Sequence, residues 1–591
     1  MPTPSKRTIH LIGAVKATFI IAGAVLSTWP ELAERIPATI RALAHGESLL
    51  GIATFALTLL LSLGACLLVG FFLPLSARIP VGALFSASAI FVTTYYYAMS
   101  DSLEVAQFEP MIAEIRFLHE AIDQYWGSFF KAVMLTLPLA IGIMLPAGSR
   151  SVNEIRYLRS NAITGATSIL TILLIAALCW THGGTGTNGY PAYLRPAAYW
   201  SAIALDNVMS RSLEPIPPQG VAVESEAAKK IVFVVDESVV SDVFGSDPSL
   251  RIDPRLGALE KYKFDFGAAA SGANCSASSN RLLQTGPRFE HANQDLAKYP
   301  WIWEYAKKAG YTTIYIDAQD TRDILHNGMT ARERAFIDQV IVANPGLVSN
   351  NDRLAGERLA KLVRTPDKAF IYINKVGAHF PYDSKYPATA APYQPVLGIA
   401  GNLFEAHLQG QSTSLRSSLA DNAGTIRFKN SYRNAVEWNL NSFFAAIQDD
   451  SWLRTGVLIY TSDHGQNIFR ELGRTNTHCS SGTDAAPSEG RVPLFFMTGM
   501  PQWSGIFADA ANRNYGLESH FNIFASLLAF MGYSSADRPD LRDPPVWSRI
   551  SPPANFLHTY TELESRFGGY SKFITLCLAP SRLDLSGRCH P

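Results

Sequence analysis

The sequence feature that most constrains the fold is a long apolar run that contains no charged residue. It extends from Leu49 to Leu75 and reads LLGIATFALTLLLSLGACLLVGFFLPL. A helix needs about 20 apolar residues to cross the hydrocarbon core of a bilayer, and this run exceeds that length. A helix buried in a soluble core is usually shorter. The run therefore predicts a membrane-spanning helix.

Four more apolar runs have a similar length, and all of them lie in the first third of the chain. They cover residues 9–29, 79–99, 130–147 and 163–182. The first run follows Lys6 and Arg7 but lacks the small-residue cleavage site of a secretory signal, so we predict a retained anchor. The sequence thus predicts five spans in a transmembrane helical domain at residues 1–182.

Loop charges predict the orientation of these spans, because Lys and Arg accumulate on the cytoplasmic side of a membrane. The N-terminus is basic, and the loop at 148–162 carries three arginines. The segment at 101–129 carries six acidic residues against little positive charge, which suits the outer side. Five crossings from a cytoplasmic N-terminus place everything after about residue 183 in the periplasm or outside the cell.

Composition argues against a nucleic-acid partner. Lys and Arg together number 50, as do Asp and Glu, and no basic run is interleaved with aromatic residues. Four of the six cysteines lie in the part predicted to be outside the cytoplasm, where disulfides form. Cys577 and Cys589 are a plausible pair that would close a short C-terminal loop.

A Gly- and Pro-rich stretch at 183–228 predicts an interfacial linker, and a different pattern begins after it. Short β-rich runs lie at 231–235, 312–317, 369–376, 456–463 and 493–497. Helical stretches lie between them at 299–310, 351–363 and 432–448. This alternation predicts an α/β domain at 229–591, with a largely parallel central sheet flanked by helices. Ligands of such sheets bind beyond the carboxyl ends of the strands.

Acidic and histidine side chains follow three of the predicted strands. Asp236 and Glu237 follow the first strand, His379 follows the third, and Asp463 and His464 follow the fourth. Each group alone is compatible with a solvated turn or a hydrogen-bonded core histidine. Carboxylate oxygens and neutral imidazoles are ligands that zinc accepts, so three such groups at one sheet edge predict a metal site.

A candidate nucleophile lies in the segment SGANCSASSNRLLQTG at 271–286, where small residues lead into a predicted helix. A hydroxyl at a helix N-terminus lies where backbone N–H groups and the helix dipole stabilise a phosphoryl or sulfuryl group. Ser276 has this position, and Cys275 is a competing nucleophile. A Ser-rich turn that only caps the helix is the alternative.

These motifs, in this order, resemble a known enzyme family. The further motifs are AHFPYDSKYP at 378–387, SDHGQ at 462–466 and THCSSGTDAAPSEGRVPLFF at 477–496. They are similar to those of the lipid A phosphoethanolamine transferases, which include the colistin-resistance enzymes. The phosphoglycerol transferases that build lipoteichoic acid share the outline. The resemblance covers roughly residues 230–500, and the preceding spans fit the same architecture.

The resemblance implies a zinc-dependent enzyme of the alkaline phosphatase and sulfatase type. Such an enzyme lies in a bacterial inner membrane, with its catalytic domain in the periplasm. It takes a phosphorylated headgroup from a phospholipid donor, phosphatidylethanolamine or phosphatidylglycerol, through a covalent intermediate. The acceptor is lipid A or an envelope glycan.

The resemblance also assigns roles to residues. Glu237, Ser276, Asp463 and His464 resemble the ligands and nucleophile of a tightly held zinc ion. His379 resembles the histidine that meets the transferred group or a second metal, and His478 resembles another site histidine. Arg491 stands where the best-known members have a histidine, so one zinc ion is expected and a second stays open.

Three alternatives stay open at this stage. The segment CSASSNRLLQTG is also similar to the sulfatase signature, in which the cysteine matures to formylglycine, although the signature proline is missing. The same site could serve a membrane-tethered hydrolase of phosphate or sulfate esters, or the chain could be a non-catalytic partner in envelope assembly. Lys375 and Arg491 could add positive charge for an anionic group, but solvent exposure is the more common state for both residue types.

Overall fold

The structure, a computed structural model, describes most of the chain. The described residues are 6–44, 49–99, 103, 108, 111–112, 125–145, 189–209, 216–296, 298–319, 329, 331–343, 347–397, 422–468, 477–478, 486–533, 543–549, 558–559 and 574–575. The predicted Cys577–Cys589 disulfide lies outside them. The chain divides into two compact units; among the described residues, the first unit ends at Met209 and the second begins at Ile216.

The first unit is helical, and four of its helices are long and apolar enough to cross a membrane. They are α1 Lys6–Ala44, α2 Leu49–Phe72, α3 Leu75–Met99 and α4 Trp126–Met144, and a shorter helix, α5, covers Arg195–Met209. These four helices correspond to the first four predicted spans. The predicted fifth span at 163–182 lies outside the described residues. The N-terminal bundle of apolar helices is confirmed.

Small residues allow α1 and α4 to pack with their backbones close together. A Cβ atom on Gly142 would lie 2.6 Å from the backbone nitrogen of Ile20, and one on Gly23 would overlap Leu139. The Thr93 hydroxyl of α3 donates a hydrogen bond of 2.9 Å to the Ser27 carbonyl of α1. Close approach at small residues and hydrogen bonds between helices are how apolar helices associate where water supplies no driving force.

The second unit is built on a seven-stranded sheet in the order β2-β7-β6-β1-β5-β3-β4. The strands are β1 Lys230–Asp236, β2 Lys263–Ala270, β3 Thr312–Asp317, β4 Gln339–Val342, β5 Ala369–Asn374, β6 Gly456–Ser462 and β7 Arg491–Thr498. A two-stranded ribbon, β8 His558–Thr559 and β9 Ile574–Thr575, stands apart from it. Only β7 runs against the other strands of the large sheet, so the predicted, largely parallel sheet is confirmed.

Helices cover the sheet and bury its central strands on both faces. They are α6 Ser276–Thr285, α7 Ala292–Leu296, α8 Ile302–Lys308, α9 Ala331–Arg334, α10 Asn351–Leu362, α11 Asn422–Ala445, α12 Pro487–Gly490, α13 Pro501–Arg513 and α14 His520–Phe530. Every residue of β1, β5 and β6 is buried. Near-continuous apolar sequences such as KIVFVVD are typical of parallel strands covered on both faces.

The three central strands position the site. β6 and β5 pair with β1 on its two sides, all in parallel, and Asp236 is opposite Ser462 in the register. The chain therefore leaves β1 and β6 at the same height of the sheet. Glu237 and the pair Asp463 and His464 are the next residues, and they emerge side by side at the carboxyl edge.

Candidate active site and metal centre

Glu237, Asp463 and His464 form a compact, buried cluster at this edge. One ligand atom from each lies within 4.8 Å of the others. His464 Nε2 is 3.5 Å from Glu237 Oε1 and 3.6 Å from Asp463 Oδ2. Zinc bonds of about 2.0 to 2.2 Å in a tetrahedron put ligand atoms roughly 3.3 to 3.6 Å apart. The observed spacing fits that geometry.

Two further features of the cluster fit a cation. Asp463 Oδ2 is buried and has no hydrogen-bond partner within the described structure. A buried carboxylate oxygen without a partner is costly, so a cation is its natural counterpart. His464 Nδ1 lies 2.7 Å from the Gly465 carbonyl, and an N–H there leaves the Nε2 lone pair directed at the cluster. The residues therefore fit a zinc ion.

The same closeness perturbs the protonation of all three groups. Burial and the Glu237 carboxylate raise the pKa of Asp463 to about 8. Burial alone would lower the pKa of His464, but the Asp463 and Glu237 carboxylates raise it to about 9. Burial opposes ionisation of Glu237 too, yet its contact with His464 holds the pKa of Glu237 well below the usual value. Without a metal, the cluster therefore retains protons at neutral pH.

Ser276 is the first residue of α6, and its hydroxyl reaches the cluster. Ser276 Oγ lies 3.1 Å from Glu237 Oε1 and 3.1 Å from His464 Nε2. The helix behind it ends at Gly286, whose φ of 57° is the left-handed conformation that glycine adopts without strain. A hydroxyl at this helix N-terminus can act as a nucleophile in a field that stabilises anionic groups.

Cys275, the competing nucleophile, is disulfide-bonded. Cys66 is the free cysteine among the described residues, so the partner of Cys275 lies outside them. A sulfur held in a disulfide is neither a thiolate nor a substrate for maturation to formylglycine. This observation favours Ser276 over Cys275.

Two further histidines flank the cluster. The ring of His478 stacks on that of His464, with ring centroids 4.6 Å apart, and His379 lies 6.2 Å from His478 by the same measure. Burial and the two neighbouring histidines hold the pKa of His478 well below its usual value, so its ring is neutral. The structure thus brings together the six residues to which the resemblance assigns site roles: Glu237, Ser276, Asp463, His464, His379 and His478.

The expectation of solvent exposure for Lys375 and Arg491 is wrong. Lys375 is fully buried and contacts Asp236 and Asp352. Arg491 is 7% exposed, and its Nε lies 3.0 Å from Asp242 Oδ2. Both cations are engaged with carboxylates of the fold itself.

Sequence reasoning missed two residues that hold the metal-site carboxylates. The Gln319 amide donates a hydrogen bond of 2.9 Å to Glu237 Oε2. The Ser238 hydroxyl donates to Glu237 Oε1 over 2.8 Å, and the Ser238 N–H donates to Asp463 Oδ1 over 3.0 Å. Both residues lie just beyond strand ends, so the rule that located the site could have found them had it included neutral polar residues.

A central sheet edge with an acid and histidine cluster, and a serine hydroxyl at a helix N-terminus beside it, is the arrangement of an enzyme of the alkaline phosphatase and sulfatase type. The chain belongs to the sulfatase family, whose sequence pattern matches residues 229–533, just over half of the chain. The sequence resemblance to this superfamily is confirmed.

Two curated relatives carry the same name, Kdo(2)-lipid A phosphoethanolamine 7''-transferase. The protein of Escherichia coli (strain K12) is 22% identical over 325 residues, and that of Salmonella typhimurium is 21% identical over 323 residues. Each match covers 52% of this chain and 52% of the relative. The chain therefore spans about half the length of the curated relatives it matches.

A solved structure shares the fold more widely. It is the integral membrane protein lipooligosaccharide phosphoethanolamine transferase A from Neisseria meningitidis. The similarity covers 90% of this chain and 99% of that one, with a TM-score of 0.59 and 15% sequence identity. This likeness concerns the fold, and it extends over both the helical and the α/β parts.

Proposed function

We propose that this chain is a zinc-dependent transferase that moves a phosphoethanolamine group from a membrane phospholipid, through a covalent intermediate on Ser276, to lipid A or an envelope glycan. Phosphoglycerol is the alternative headgroup. The names of the curated relatives support phosphoethanolamine, and the Ser276 hydroxyl beside the candidate metal cluster supports a covalent intermediate.

One observation carries the proposal: Ser276 Oγ contacts two members of the candidate metal cluster at 3.1 Å each. Glu237, Asp463 and His464, together with Ser276, would hold the ion. Zinc at such a cluster supplies Lewis-acid chemistry that makes a hydroxyl a better nucleophile and stabilises charge on phosphoryl oxygens.

In the first step, Ser276 Oγ attacks the phosphorus of the donor lipid. A bond forms between the serine oxygen and phosphorus, and the bond from phosphorus to the diacylglycerol oxygen breaks. The serine loses a proton, and the departing diacylglycerol oxygen gains one. His478 stacks on His464, which Ser276 contacts, and His379 lies beside His478, so these two histidines are the groups suited to carry the protons, since a neutral imidazole can accept and then donate.

In the second step, an oxygen of the acceptor attacks the phosphoserine. The bond between phosphorus and the serine oxygen breaks, the acceptor loses its proton, and Ser276 regains one. The same two histidines are suited to carry these protons. The N-terminus of α6 would stabilise the anionic phosphoryl group in both steps, because the positive end of the helix dipole lies at Ser276.

A membrane anchor of apolar helices suits this reaction. The donor is itself a membrane lipid, so an anchor in the same bilayer raises its effective concentration at the site. We place the chain in the bacterial inner membrane and residues 229–591 in the periplasm, where lipid A and envelope glycans are accessible.

The test is intact-mass spectrometry of the purified full-length chain after incubation with phosphatidylethanolamine or, separately, with phosphatidylglycerol. Zinc content is determined on the same samples. We expect a mass increase equal to phosphoethanolamine with the first lipid, and its loss in Ser276→Ala. Ser278→Ala, two residues further along α6, is the matched control and should retain the adduct.

Other outcomes redirect the assignment. An adduct from phosphatidylglycerol would make the headgroup phosphoglycerol. A zinc-loaded protein that forms no adduct but releases phosphate or sulfate from esters would be a hydrolase that uses water as the acceptor. A protein that holds no metal and shows no activity would be the non-catalytic partner.

A further inference from the structure

A buried lysine lies between two carboxylates directly behind the metal cluster. Lys375 follows β5, Asp236 ends β1, and Asp352 lies in the first turn of α10. Lys375 Nζ contacts Asp236 Oδ2 and is 3.4 Å from Asp352 Oδ2. All three side chains are between 0% and 1% exposed. We refer to these three residues as the lysine triad.

Stability alone is a weak reason for this arrangement. A buried ion pair often contributes less stability than apolar residues of the same volume, because removing charges from water is costly. The lysine remains charged here, because the two carboxylates raise its pKa despite burial. Three buried charges are better explained by the groups whose positions they fix.

On one side, the lysine triad holds the turn that carries Glu237. Asp236 Oδ1 accepts a hydrogen bond of 3.0 Å from the Glu237 N–H, and Asp236 Oδ2 accepts one of 2.6 Å from the Tyr460 hydroxyl. The Gln319 amide donates to both the Lys375 carbonyl and Glu237 Oε2, each over 2.9 Å. Glu237 is thereby fixed by its backbone and by its outer oxygen, which leaves Oε1 for the metal cluster.

On the other side, the lysine triad holds the turn that leads to His379. Asp352 accepts hydrogen bonds from the N–H groups of Val376 and Gly377, at 2.8 and 3.1 Å. The Ala378 N–H donates to the Glu237 carbonyl over 2.9 Å. The two turns are therefore bound to each other and to the same lysine.

We propose that Lys375 is a positioning residue that aligns Glu237 with His379 for the transfer reaction, acting through Asp236 and Asp352. This inference rests on the proposed function. Lys375 touches neither the metal cluster nor the nucleophile, so its effect passes through the residues it holds.

The test uses the full-length chain in detergent. Lys375→Met leaves two facing carboxylates and could unfold the domain, so the main variant is Lys375→Met/Asp352→Asn. It removes the lysine but keeps the net charge of the triad at minus one, and the amide oxygen introduced by Asp352→Asn still accepts a hydrogen bond. Lys230→Met is the matched control, because Lys230 is a buried lysine at the opposite end of β1, where its Nζ donates to Thr365 and Asp367.

We expect the double variant to unfold cooperatively but to bind zinc about 10- to 100-fold more weakly, the range seen when residues that orient metal ligands are replaced. Its kcat for headgroup transfer should fall at saturating zinc, while KM for the donor lipid stays within about twofold, because the lipid contacts are untouched. Gln319→Leu should weaken zinc binding in the same direction. Lys230→Met should leave zinc affinity unchanged.

Native zinc affinity and native kcat in a folded double variant would overturn the inference. Lys375 would then contribute only to the stability of the fold. An equal loss of zinc affinity in Lys230→Met would do the same. Zinc affinity is measured with the metal alone and no lipid. If no lipid ever yields a product, the proposed function fails while the zinc measurement still decides the role of Lys375.

Discussion

Ser238, beside the proposed metal ligand Glu237, has a backbone conformation that serine rarely adopts. Its φ is 61°, yet its hydroxyl and N–H both bind the carboxylates of the cluster. A left-handed conformation costs a residue with a Cβ about 1 to 2 kcal/mol, and glycine avoids that cost. A lost hydroxyl hydrogen bond costs about 1 kcal/mol.

The backbone strain and the lost hydrogen bond together predict which of two Ser238 variants is the more stable. Ser238→Ala loses the hydrogen bond and keeps the strained backbone, whereas Ser238→Gly loses the bond but relieves the strain. Ser238→Ala should therefore be less stable than Ser238→Gly by about 1 kcal/mol. Thermal unfolding of both variants in detergent, beside the parent chain, measures the order. The reverse order would show that the left-handed backbone is not a strain here.

Protonation of the cluster predicts that zinc binding depends on pH. The pKa of Asp463 is raised to about 8 and that of His464 to about 9, so both groups hold protons in the metal-free site at neutral pH. Zinc needs deprotonated ligands, so it must displace these protons. A raised pKa means that the protons leave at higher pH, so zinc affinity should rise from about pH 7 to about pH 9 and then level off.

Competition with a zinc chelator of known affinity at several pH values measures this dependence. Asp463→Asn is the control, because the asparagine has no proton to release and its curve should be flatter. Calorimetry in buffers of different ionisation enthalpy counts the protons released. A flat affinity profile in the parent chain would contradict the prediction.

At the residue scale, sequence could locate the charged members of the site but not the buried lysine and the disulfide behind them. Glu237, Asp463 and His464 each follow an apolar strand, which is a signal in the sequence itself. The burial of Lys375 carries no such signal, because it depends on Asp352, 23 positions away in another element. The disulfide at Cys275 is equally invisible, since spacing does not define pairing.

At the scale of elements, the turn after β5 depends on a glycine. Gly377 has a φ of 47°, and a Cβ there would lie 2.5 Å from the Glu237 carbonyl oxygen and overlap Asp236 Oδ1. Gly310 offers a matched control, because its φ is 77° but no atom lies within 4 Å of an added Cβ. The two positions share the backbone requirement and differ only in the available space.

Gly310→Ala should therefore cost about 1 to 2 kcal/mol from backbone strain and leave zinc binding intact. Gly377→Ala should cost more than Gly310→Ala and should also weaken zinc binding, because the new methyl group displaces the turn that carries Glu237. Thermal unfolding and zinc affinity are measured on both variants. Equal zinc affinities would show that the turn can move without disturbing the metal ligand.

The strands show where sequence patterns suffice and where they fail. The five predicted strands all occur, because each is an apolar run long enough to be recognised. β4 is only four residues long, and β2 reads KFDFGAAA with a bulge between Asp265 and Gly267, so neither gives a clear pattern. The antiparallel direction of β7 arises from pairing with β6, which no local pattern encodes.

At the scale of the whole molecule, the chain combines an apolar helical unit with a separate α/β unit that carries the site. In the four helices that are long and apolar enough to cross a membrane, only 22% to 33% of the residues in each apolar segment are buried. The remaining residues are available for contact with lipid. Which side of the membrane the site faces then depends on how often the chain crosses. With a cytoplasmic N-terminus, four crossings leave the site in the cytoplasm and five place it outside.

We expect five crossings, because the loop at 148–162 is basic and the apolar run at 163–182 follows it. Single cysteines report the side: Ser246→Cys lies in an exposed turn of the α/β unit, and Ser5→Cys precedes α1. A membrane-impermeant maleimide applied to spheroplasts should label Ser246→Cys at once and Ser5→Cys only after permeabilisation, with the parent chain as background. If Ser246→Cys, like Ser5→Cys, were labelled only after permeabilisation, the site would face the cytoplasm. A periplasmic acceptor could then not be its substrate.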